Sequence, residues 1–412
     1  MSVAAAVEVP SYFVCPISLE IMRDPVTLST GITYDRESIE RWVFTDGHGE
    51  CPVTKQRLAP ADREPTPNHT LRRLIQGWCA VHAVERIPTP RPPVDAARVA
   101  AIVDAARLKQ KQQLMDSLRE LADIVAESDR NRRCVQSTPG AVEFLVSVVK
   151  EDTWTEESSP EEAALGILHS LKLTEESLKR VLEASNGDDF LDAMARVLHR
   201  PSYLAQTHGL HLLKSAVSAL PPARLASASG ELVDAVVRAV AERNLSPKSI
   251  KLALHVLCRL CPWGRNRVKA VEAGAVPALV RVLLDGDRRS CEAAIMAVDH
   301  VCGCAEGRME LVSHPAGLAV VASCAAAGTR MSAGGTESAV RALHAVARHA
   351  ATPAVLQEMV AVGVVARLLF LVQVGAGGER TRARAKEMLR MHARVWRDSP
   401  CLASHLNASY PR

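Results

Sequence analysis

The sequence has few aromatic residues: Phe, Trp and Tyr make up only 3% of its 412 residues, while hydrophobic residues make up 48%. The core must therefore consist mainly of Ala, Val and Leu, and these small aliphatic side chains suit closely packed helices. An excess of charge of one sign is also missing, since 50 Lys and Arg residues face 46 Asp and Glu residues. The net charge of +4 creates no strong field for polyanions, so we do not expect nucleic acid as a partner.

Targeting segments and long apolar runs are absent from the sequence as well. Residues 1–10 contain no basic stretch followed by an apolar one, so we expect no secretory signal and a cytoplasmic protein. The apolar stretch 361–374 is interrupted by Gly363 and Arg367, and it is shorter than the roughly 20 residues that cross a bilayer. The cysteines number eleven, an odd count that favours reduced thiols packed as small hydrophobic residues over a disulfide framework.

A proline-rich segment separates two kinds of sequence. Four prolines lie within residues 88–93, where they favour an extended, semi-rigid spacer. We therefore predict a domain at 8–83, a linker at 84–95 and a repeat region at 96–406. The first part contains short strand-like and helix-like pieces, whereas the last part reads almost entirely as amphipathic helices rich in Ala, Leu and Val.

The repeat region contains a glycine at regular intervals of 43 to 47 residues. These glycines are Gly140, Gly187, Gly230, Gly274, Gly317 and Gly363. Each follows a short helical stretch and precedes an apolar helix, as expected of a helix C-cap or a tight turn between helices. Two or three helices per repeat indicate a HEAT-like or armadillo-like right-handed α-solenoid, in which stacked repeats supply the core. Residues 271–280 resemble the armadillo repeat pattern, and such an array binds proteins without implying any chemistry of its own.

The N-terminal region 8–83 is predicted to form a small α+β fold. Residues 24–28 and 32–34 alternate like two strands around a turn at 29–31. Asp35 is well placed to cap the following helix with its side chain. We predict two helices with these residues on their buried faces: Ile39, Trp42 and Val43 in the first, and Leu71, Leu74, Ile75 and Trp78 in the second.

The order of loop, hairpin, helix, loop and helix is that of a RING domain, which raises the question of zinc. A RING needs eight ligands for two tetrahedral zinc sites, commonly supplied as Cys-x-x-Cys pairs. The N-terminal region offers six candidate ligands and no Cys-x-x-Cys pair: Cys15, His48, Cys51, His69, Cys79 and His82. We therefore predict a RING-like fold that holds no zinc and no other cofactor.

Five sequence blocks in this region resemble the U-box family, specifically the plant U-box proteins with armadillo repeats. The blocks are 15–22 (CPISLEIM), 24–26 (DPV), 30–36 (TGITYDR), 51–54 (CPVT) and 67–71 (PNHTL). The resemblance implies a fold that is held by buried hydrogen bonds and salt bridges in place of metal. The structural residues that it implies are Cys15, Asp24 and Asn68, and Glu37 and Lys55 are further candidates for polar cross-links.

The resemblance also implies an E3 ubiquitin-protein ligase with no covalent intermediate and no catalytic residue of its own. In such ligases a ubiquitin-conjugating enzyme (E2) brings ubiquitin as a thioester, and the U-box orients this donor. The attacking lysine belongs to a substrate held by the repeats or, in self-ubiquitination, to the ligase. The resemblance leaves open whether the U-box also forms a homo-oligomer.

The E2-binding residues implied by the resemblance are Ile17, Leu19, Trp42, Pro52 and Lys55. The alternative for Ile17 and Trp42 is a purely structural role in the core. Lys55 occupies the position of an arginine that bridges E2 and ubiquitin in some U-boxes. Because lysine lacks the planar fork of arginine, the alternative for Lys55 is a solvated surface residue.

A group of thiols and one imidazole in the repeats could indicate a zinc site or a thiol enzyme. It comprises His255, Cys258, Cys261, Cys302 and Cys304. Cys258 and Cys302 are 44 residues apart, which is about one repeat length. We therefore predict that both occupy the same helical position and pack in the core as small side chains.

Two further features have more than one interpretation. Thr66 and Thr89 each precede a proline and are candidate sites of proline-directed phosphorylation. A C-terminal basic run could bind an acidic surface or lipid headgroups, which would make membrane association peripheral at most, or it could form the solvated face of the last helix. Its residues are Arg380, Arg382, Arg384, Lys386, Arg390, Arg394 and Arg397.

Two other classes of function compete with a U-box ligase. A non-enzymatic armadillo adaptor, such as a nuclear import receptor, would line its groove with repeated Trp and Asn, which the helices at 144–150 and 279–284 lack. A ligase with its own catalytic cysteine would need an exposed, activated thiol, and no cysteine stands out in this way. The sequence therefore favours the U-box ligase.

Overall fold

The computed structural model describes residues 9–46, 48–58, 65–82, 94–107, 111–151, 159–184, 187–326, 331–374 and 378–397. The chain forms two compact units, Met1–Phe144 and Leu145–Arg412. The first unit contains the N-terminal module together with the first helices of the repeat region. Residues 84–93 of the predicted linker lie outside the described residues.

The N-terminal module is built around a small antiparallel sheet. Its strands are β1 (Pro25–Thr27), β2 (Thr33–Asp35) and β3 (Thr66–Pro67), in the order β2-β1-β3. Its helices are a 3₁₀ turn (Ser11–Phe13), α1 (Arg36–Glu40), a π-helical turn that continues α1 (Arg41–Thr45), and α2 (His69–Val81). Val26 of β1 lies opposite both Tyr34 and Pro67. Gly31 has a φ of +80° in the turn between β1 and β2, a conformation that suits glycine.

Two details of the predicted helices are wrong. The side chain of Asp35 makes no capping hydrogen bond to α1, because its carboxylate instead accepts from the backbone amides of Arg23 and Asp24, at 2.8 and 2.9 Å. Leu74 is 54% exposed, since α2 turns Ile75 and Cys79 rather than Leu74 toward the core. The predicted partners Trp42, Val43, Leu71 and Trp78 are partly buried against that core.

The repeat region consists of helices with well-marked starts. They are α3 (Ala96–Arg107), α4 (Lys111–Glu127), α5 (Asp129–Ser137), α6 (Ala141–Lys150), α7 (Pro160–Leu171), α8 (Glu175–Ala184), α9 (Gly187–His199), α10 (Tyr203–Ala219), α11 (Pro222–Ala226), α12 (Gly230–Ala241), α13 (Pro247–Leu260), α14 (Gly264–Glu272), α15 (Ala275–Asp285), α16 (Arg288–Val301), α17 (Ala305–Ser313), α18 (Gly317–Cys324), α19 (Ala333–His349), α20 (Pro353–Ala361), α21 (Val364–Val374), α22 (Glu379–Met391) and α23 (Ala393–Arg397). The side chains of capping residues such as Ser202, Ser246 and Asp287 accept hydrogen bonds from backbone amides in the first turns of their helices.

The repeat glycines play two roles. Gly140, Gly274 and Gly363 have φ near +80°, and each lies between two helices, as a C-cap glycine does. Gly230 and Gly317 are instead the first residues of α12 and α18. The regular spacing of these glycines therefore gives the repeat length, but the glycines do not share one backbone conformation.

Within the second unit, six helices pack side by side in succession: α7, α10, α13, α16, α19 and α22. We call these helices the third-helix layer. A small residue is buried at the matching place in the successive helices, as with Ala253, Ala294, Ala339 and Ala385. Small side chains allow the helices to approach closely, which explains how the repeats form a core with so few aromatic residues.

The predicted match between Cys258 and Cys302 is wrong. Cys302 instead corresponds to Cys261, because each of these residues follows the last turn of its helix and its carbonyl accepts a hydrogen bond from an arginine six residues later. Arg267 Nε donates to Cys261 at 2.8 Å, and Arg308 donates to Cys302 at 2.9 Å. The repeat is 41 residues long at this point, which is shorter than the intervals of 43 to 47 residues between the repeat glycines.

Cys261 and Cys302 are buried in the core of the repeats, and Cys258 is partly buried. Burial raises the pKa of Cys258 and of Cys261 to about 12, and it also raises the pKa of Cys302. These thiols therefore stay protonated at neutral pH and pack as small hydrophobic residues. Within the described ranges, no group of three or more His, Cys, Asp or Glu side chains is arranged to hold a metal ion.

Among the described helices, no single one is both long and apolar enough to cross a membrane. The pair α20 and α21 reaches that length and composition only together, with a bend of 64° between them. Helix α23 packs on α20, where Trp396 Nε1 donates to the Leu356 carbonyl at 3.2 Å. The C-terminal basic run contributes to internal contacts as well, since Arg384 pairs with Glu337 at 3.4 Å.

A buried asparagine joins consecutive repeats, and its removal gives a measurable prediction. Asn266 is fully buried, and its amide donates to the carbonyls of Leu225 and Leu260 at 2.7 and 3.0 Å. Asn266→Ala leaves both carbonyls without this donor, so we expect the free energy of unfolding to fall by about 1 to 2 kcal/mol. Denaturant unfolding of the full chain measures this loss. The control Asn244→Ala alters an exposed residue, and an equal loss in both variants would contradict the prediction.

Candidate functional site

Two turns of the N-terminal module have the same construction. They span 15–20 and 51–56, and we call them the first and second turn. In each, the amide of the cysteine donates to the carbonyl of the sixth residue at 2.8 Å, and the amide of the fifth residue donates to the cysteine carbonyl at 2.9 Å. The fifth residues, Leu19 and Lys55, both have a φ of +58°, which is unusual for residues other than glycine. The two turns are therefore copies of one local structure.

The construction of the turns pairs their side chains and reveals a residue that the sequence analysis missed. Val53 in the second turn corresponds to Ile17 in the first, and it is 52% exposed. Leu19 is 76% exposed, whereas Ile17 and Pro52 are partly buried. An alignment of 15–20 with 51–56, in which Cys-Pro is followed by a β-branched residue and then Ser or Thr, would have identified Val53.

Buried sulfur atoms hold both turns in place. The Cys15 sulfur accepts a hydrogen bond from the Asp35 amide at 3.2 Å, and the Cys51 sulfur is 3.0 Å from the Tyr34 hydroxyl. Burial acts against the Cys51 thiolate, but hydrogen bonds from Thr54, Tyr34 and Thr30 together lower the pKa of this thiol to about 6. Burial and the contact with Cys51 raise the pKa of Tyr34. Both cysteines are fully buried, so their role is to fix the turns.

Trp42 lies between the two turns in sequence and is attached to the second. Its indole nitrogen donates to the Glu50 carbonyl at 2.8 Å, and its ring stacks on His48 with the ring centroids 3.8 Å apart. The Lys55 ammonium lies 5.9 Å from the centroid of the same ring. Trp42 also packs partly against the core that Ile17 contacts. Trp42 therefore packs partly against the core and is partly exposed at the surface.

Asp24 and Asn68 tie the module together with polar contacts. Asp24 accepts from Arg36 Nε at 2.6 Å and also pairs with Arg72 of α2. The side-chain oxygen of Asn68 caps α2 by accepting a hydrogen bond from the Leu71 backbone amide at 3.0 Å. The backbone amide of Asn68 donates to the Pro25 carbonyl at 2.8 Å. These contacts join the start of β1 to α1 and α2.

The other two candidates for cross-links do not take this role. Among the described residues, Glu37 is exposed and pairs with Arg41, one turn along the same helix. Lys55 is exposed as well. The buried acidic residue of this helix is Glu40, which is 5% exposed and lies 3.7 Å from Arg36 and 3.4 Å from Arg133 of α5. Burial raises the pKa of Glu40, although both arginines oppose the shift. Glu40 therefore links the module to the first helices of the repeat region, a contact that local sequence could not reveal.

The structure describes one of the two candidate phosphorylation sites. Thr66 is exposed on β3 and lies opposite Thr27 of β1. Thr89 lies outside the described residues. Modification at both positions stays a prediction.

A RING-like module with two matched turns and polar cross-links, followed by stacked helical repeats, defines a class of proteins that joins a docking domain to a protein-binding array. The model of the plant U-box protein ARM repeat region matches residues 98–411, and that of the U-box domain matches residues 9–84. The chain therefore belongs to the plant U-box proteins with armadillo repeats, and it is an E3 ubiquitin-protein ligase of the RING type.

Similar proteins cover almost the whole chain. The E3 ubiquitin-protein ligase PUB23 of Arabidopsis thaliana is 42% identical and covers 98% of both chains. The E3 ubiquitin-protein ligase PUB22 of the same plant is 38% identical and covers 98% of this chain and 99% of its own. Among solved structures, a designed armadillo repeat protein aligns at 19% identity with a TM-score of 0.40 over 60% of this chain and 99% of its own.

Proposed function

We propose that the two turns and Trp42 bind the E2 that carries ubiquitin, and that the third-helix layer holds the substrate. The observation that carries the first part is the pair of matched turns with exposed apolar residues, Leu19 and Val53, on either side of Trp42 in the chain. Exposed apolar side chains on a rigid backbone are suited to anchoring a partner. Ile17 and Pro52 complete this surface, which we call the turn surface.

The chemistry under this proposal needs no acid, base or nucleophile from the ligase. The substrate lysine attacks the thioester carbonyl, an amide bond forms, the bond to the E2 sulfur breaks, and the amine loses a proton to solvent. The ligase contributes by holding donor and acceptor in a reactive geometry, which is worth several kcal/mol, and up to about 7 to 11 kcal/mol in favourable cases. The thiols of Cys261 and Cys302 are buried and protonated, which agrees with a ligase that supplies no nucleophile.

The proposal is tested by ubiquitination with purified components. We expect the full chain, mixed with activating enzyme, E2, ubiquitin and ATP, to form ubiquitin conjugates on its own lysines. Variants with alanine at Cys261 and Cys302 should keep this activity, because neither thiol takes part in the transfer. A panel of E2 enzymes that yields no conjugates, or activity that disappears with these cysteines, would contradict the proposal.

Lys55 provides a second test. Lys55 is exposed and its ammonium lies beside Trp42. The resemblance to the U-box family places it where some U-boxes carry an arginine that contacts both E2 and ubiquitin. Lys55→Arg adds a planar fork with more donors at the same backbone position, so we expect self-ubiquitination to accelerate by roughly two- to tenfold. Initial rates at a fixed E2 concentration measure the effect. An unchanged rate would mean that Lys55 is a solvated surface residue.

We also propose that the module self-associates through the outer face of α2. Leu74 and Val81 are 54% and 80% exposed, and Trp78 lies between them on the same face. Leu74→Glu should convert a dimer of the full chain to a monomer in light scattering, because a carboxylate does not fit an apolar contact. Leu284→Glu, at an equally exposed leucine of α15, should leave the mass unchanged. A monomer without any substitution would contradict this proposal.

A further inference from the structure

The first half of the third-helix layer carries a cluster of imidazole and ammonium groups. His169 of α7 stacks on His208 of α10, with ring centroids 4.5 Å apart, and its centroid lies 4.8 Å from that of His211. His208, His211 and Lys214 are spaced three residues apart, so they share one face of α10. Lys214 is exposed, and the three histidines are partly exposed. The basic groups of two neighbouring helices therefore meet at one surface.

The cluster continues onto α13. Lys248 and His255 are separated by two helical turns, and both are exposed. Arg259 follows one turn later and is exposed too, although one of its nitrogens lies 3.4 Å from the Val217 carbonyl. We call the following six residues the imidazole-lysine patch: His169, His208, His211, Lys214, Lys248 and His255.

In the second half of the layer, several basic residues pair with acidic residues of a neighbouring helix. Arg341 of α19 pairs with Asp299 of α16. Glu387 of α22 lies 3.0 Å from His344 and 3.2 Å from Arg348. Charges that neutralise one another leave little for a ligand to gain.

The patch lacks such partners among the described residues, where no carboxylate lies within ion-pair distance of its six members. Glu162 faces His208, but its carboxylate accepts from the Ser202 hydroxyl at 2.8 Å. Lys251, next to the patch on α13, is paired with Asp287 at 3.8 Å. Positive charge is therefore available to an anionic ligand in this half of the layer.

We propose that the imidazole-lysine patch binds an extended acidic segment, rich in Asp and Glu, of the protein that is ubiquitinated. Charge complementarity carries this assignment: three neighbouring helices present donors and cations in series, and an extended chain of carboxylates can contact them in turn. The inference rests on the proposed role of the layer in holding substrate, and it names the chemistry of that substrate.

Binding of an acidic segment should be coupled to protonation of the patch. Burial lowers the pKa of all four histidines, and nearby cations lower it further, so that the pKa of His211 falls to about 4. The charged or titratable neighbours are Lys248 and Lys172 for His169, His169 with Glu162 in opposition for His208, His169, Lys248, His208 and Lys214 for His211, and Lys214 and Arg259 for His255. The imidazoles are thus neutral near pH 7 in the free protein. Carboxylates of a ligand would raise these pKa values, so binding takes up protons and strengthens as the pH falls.

The test is titration of the full chain with a short fluorescent peptide of alternating Glu and Ala. We expect binding that weakens with salt and is at least about tenfold tighter at pH 6 than at pH 8. Calorimetry in buffers of different ionisation enthalpy should show that protons are taken up on binding. The corresponding Lys and Ala peptide should not bind. Lys214→Glu combined with Lys248→Glu should weaken binding at least about tenfold, and the milder pair Lys214→Gln and Lys248→Gln should weaken it less.

The matched control is Lys386→Glu combined with Arg390→Glu, which changes the net charge equally at exposed positions of α22. Equal weakening by both reversed pairs, or binding without proton uptake, would overturn the inference. Self-ubiquitination of the unaltered protein is measured separately, without the peptide. Intact self-ubiquitination with no peptide binding overturns this inference alone, whereas peptide binding with no ubiquitination in any E2 panel overturns the proposed ligase mechanism alone.

Discussion

Ile17→Ala is expected to lower the affinity of the full chain for its E2 by about 2 kcal/mol, which is roughly 30-fold, and to abolish self-ubiquitination at low E2 concentration. Ile17 lies in the first turn between the fixed sulfur of Cys15 and the exposed side chain of Leu19. Truncation removes apolar contact area from the turn surface while the turn keeps its backbone hydrogen bonds. Because Ile17 also packs against the core of the module, a smaller loss of folding stability should accompany the loss of E2 binding, and denaturant unfolding separates the two effects.

The matched construction of the turns sharpens this prediction. Val53→Ala, at the corresponding place in the second turn, should weaken binding in the same direction by about 1 kcal/mol, because a smaller side chain is truncated. The control is Tyr12→Ala, which removes an apolar side chain that is 63% exposed and outside both turns. Calorimetric titration with E2 measures all three variants. Loss of binding in Tyr12→Ala, or unchanged binding in Ile17→Ala, would show that the turn surface has been assigned wrongly.

Asp24→Ala is expected to destabilise the N-terminal module by about 3 to 5 kcal/mol. Asp24 is the shared partner of Arg36 and Arg72, so its removal takes this carboxylate from Arg72 and leaves Arg36 with the more distant carboxylate of Glu40, 3.7 Å away. The charge of each arginine persists, because a guanidinium does not lose its proton in proteins. This cost is much larger than that of an exposed ion pair, which is worth 0 to about 1 kcal/mol.

Hydrogen exchange of the full chain localises this effect to the module. Amides of β1 and β2 should exchange roughly two to three orders of magnitude faster in Asp24→Ala, while amides of the third-helix layer keep their protection. Glu37→Ala serves as the control, since Glu37 pairs with Arg41 at the surface of the same module. If both substitutions accelerate exchange equally, the fold does not depend on the buried contacts of Asp24.

Local pattern was sufficient for much of the fold. The β1–β2 hairpin, the helix α2 and the helical repeats all follow from residues that are close together in the chain. The predictions were wrong where a side chain had a choice of partner. Asp35 could cap its own helix, but the returning segment at 23–24 brings two backbone amides to its carboxylate. The exposure of Leu74 was missed for a similar reason, since spacing alone does not say which side of α2 meets the sheet.

The candidate site shows the same division. The sequence placed Ile17, Leu19, Pro52 and Lys55 through a family resemblance, and the structure locates all four in the two turns. It did not identify Val53, because the two turns were not compared with each other, although the match of CPIS at 15–18 with CPVT at 51–54 is visible in the sequence. The patch on α7, α10 and α13 was missed because repeats of unequal length obscure which residues are neighbours. Contacts between residues far apart in the chain, such as Glu40 with Arg133, depend on the packed structure and leave no local signal.

We propose that the module positions a loaded E2 without metal and without a covalent bond to ubiquitin. The most direct measurement mixes preformed E2-ubiquitin thioester with the full chain and free lysine, in the presence of a zinc chelator, and follows loss of the thioester in a single turnover. We predict that the protein accelerates discharge, that the chelator has no effect, and that no ubiquitin becomes attached to the protein through a bond that thiols cleave. Acceleration that vanishes with the chelator, or a thioester of ubiquitin on the protein itself, would contradict the account.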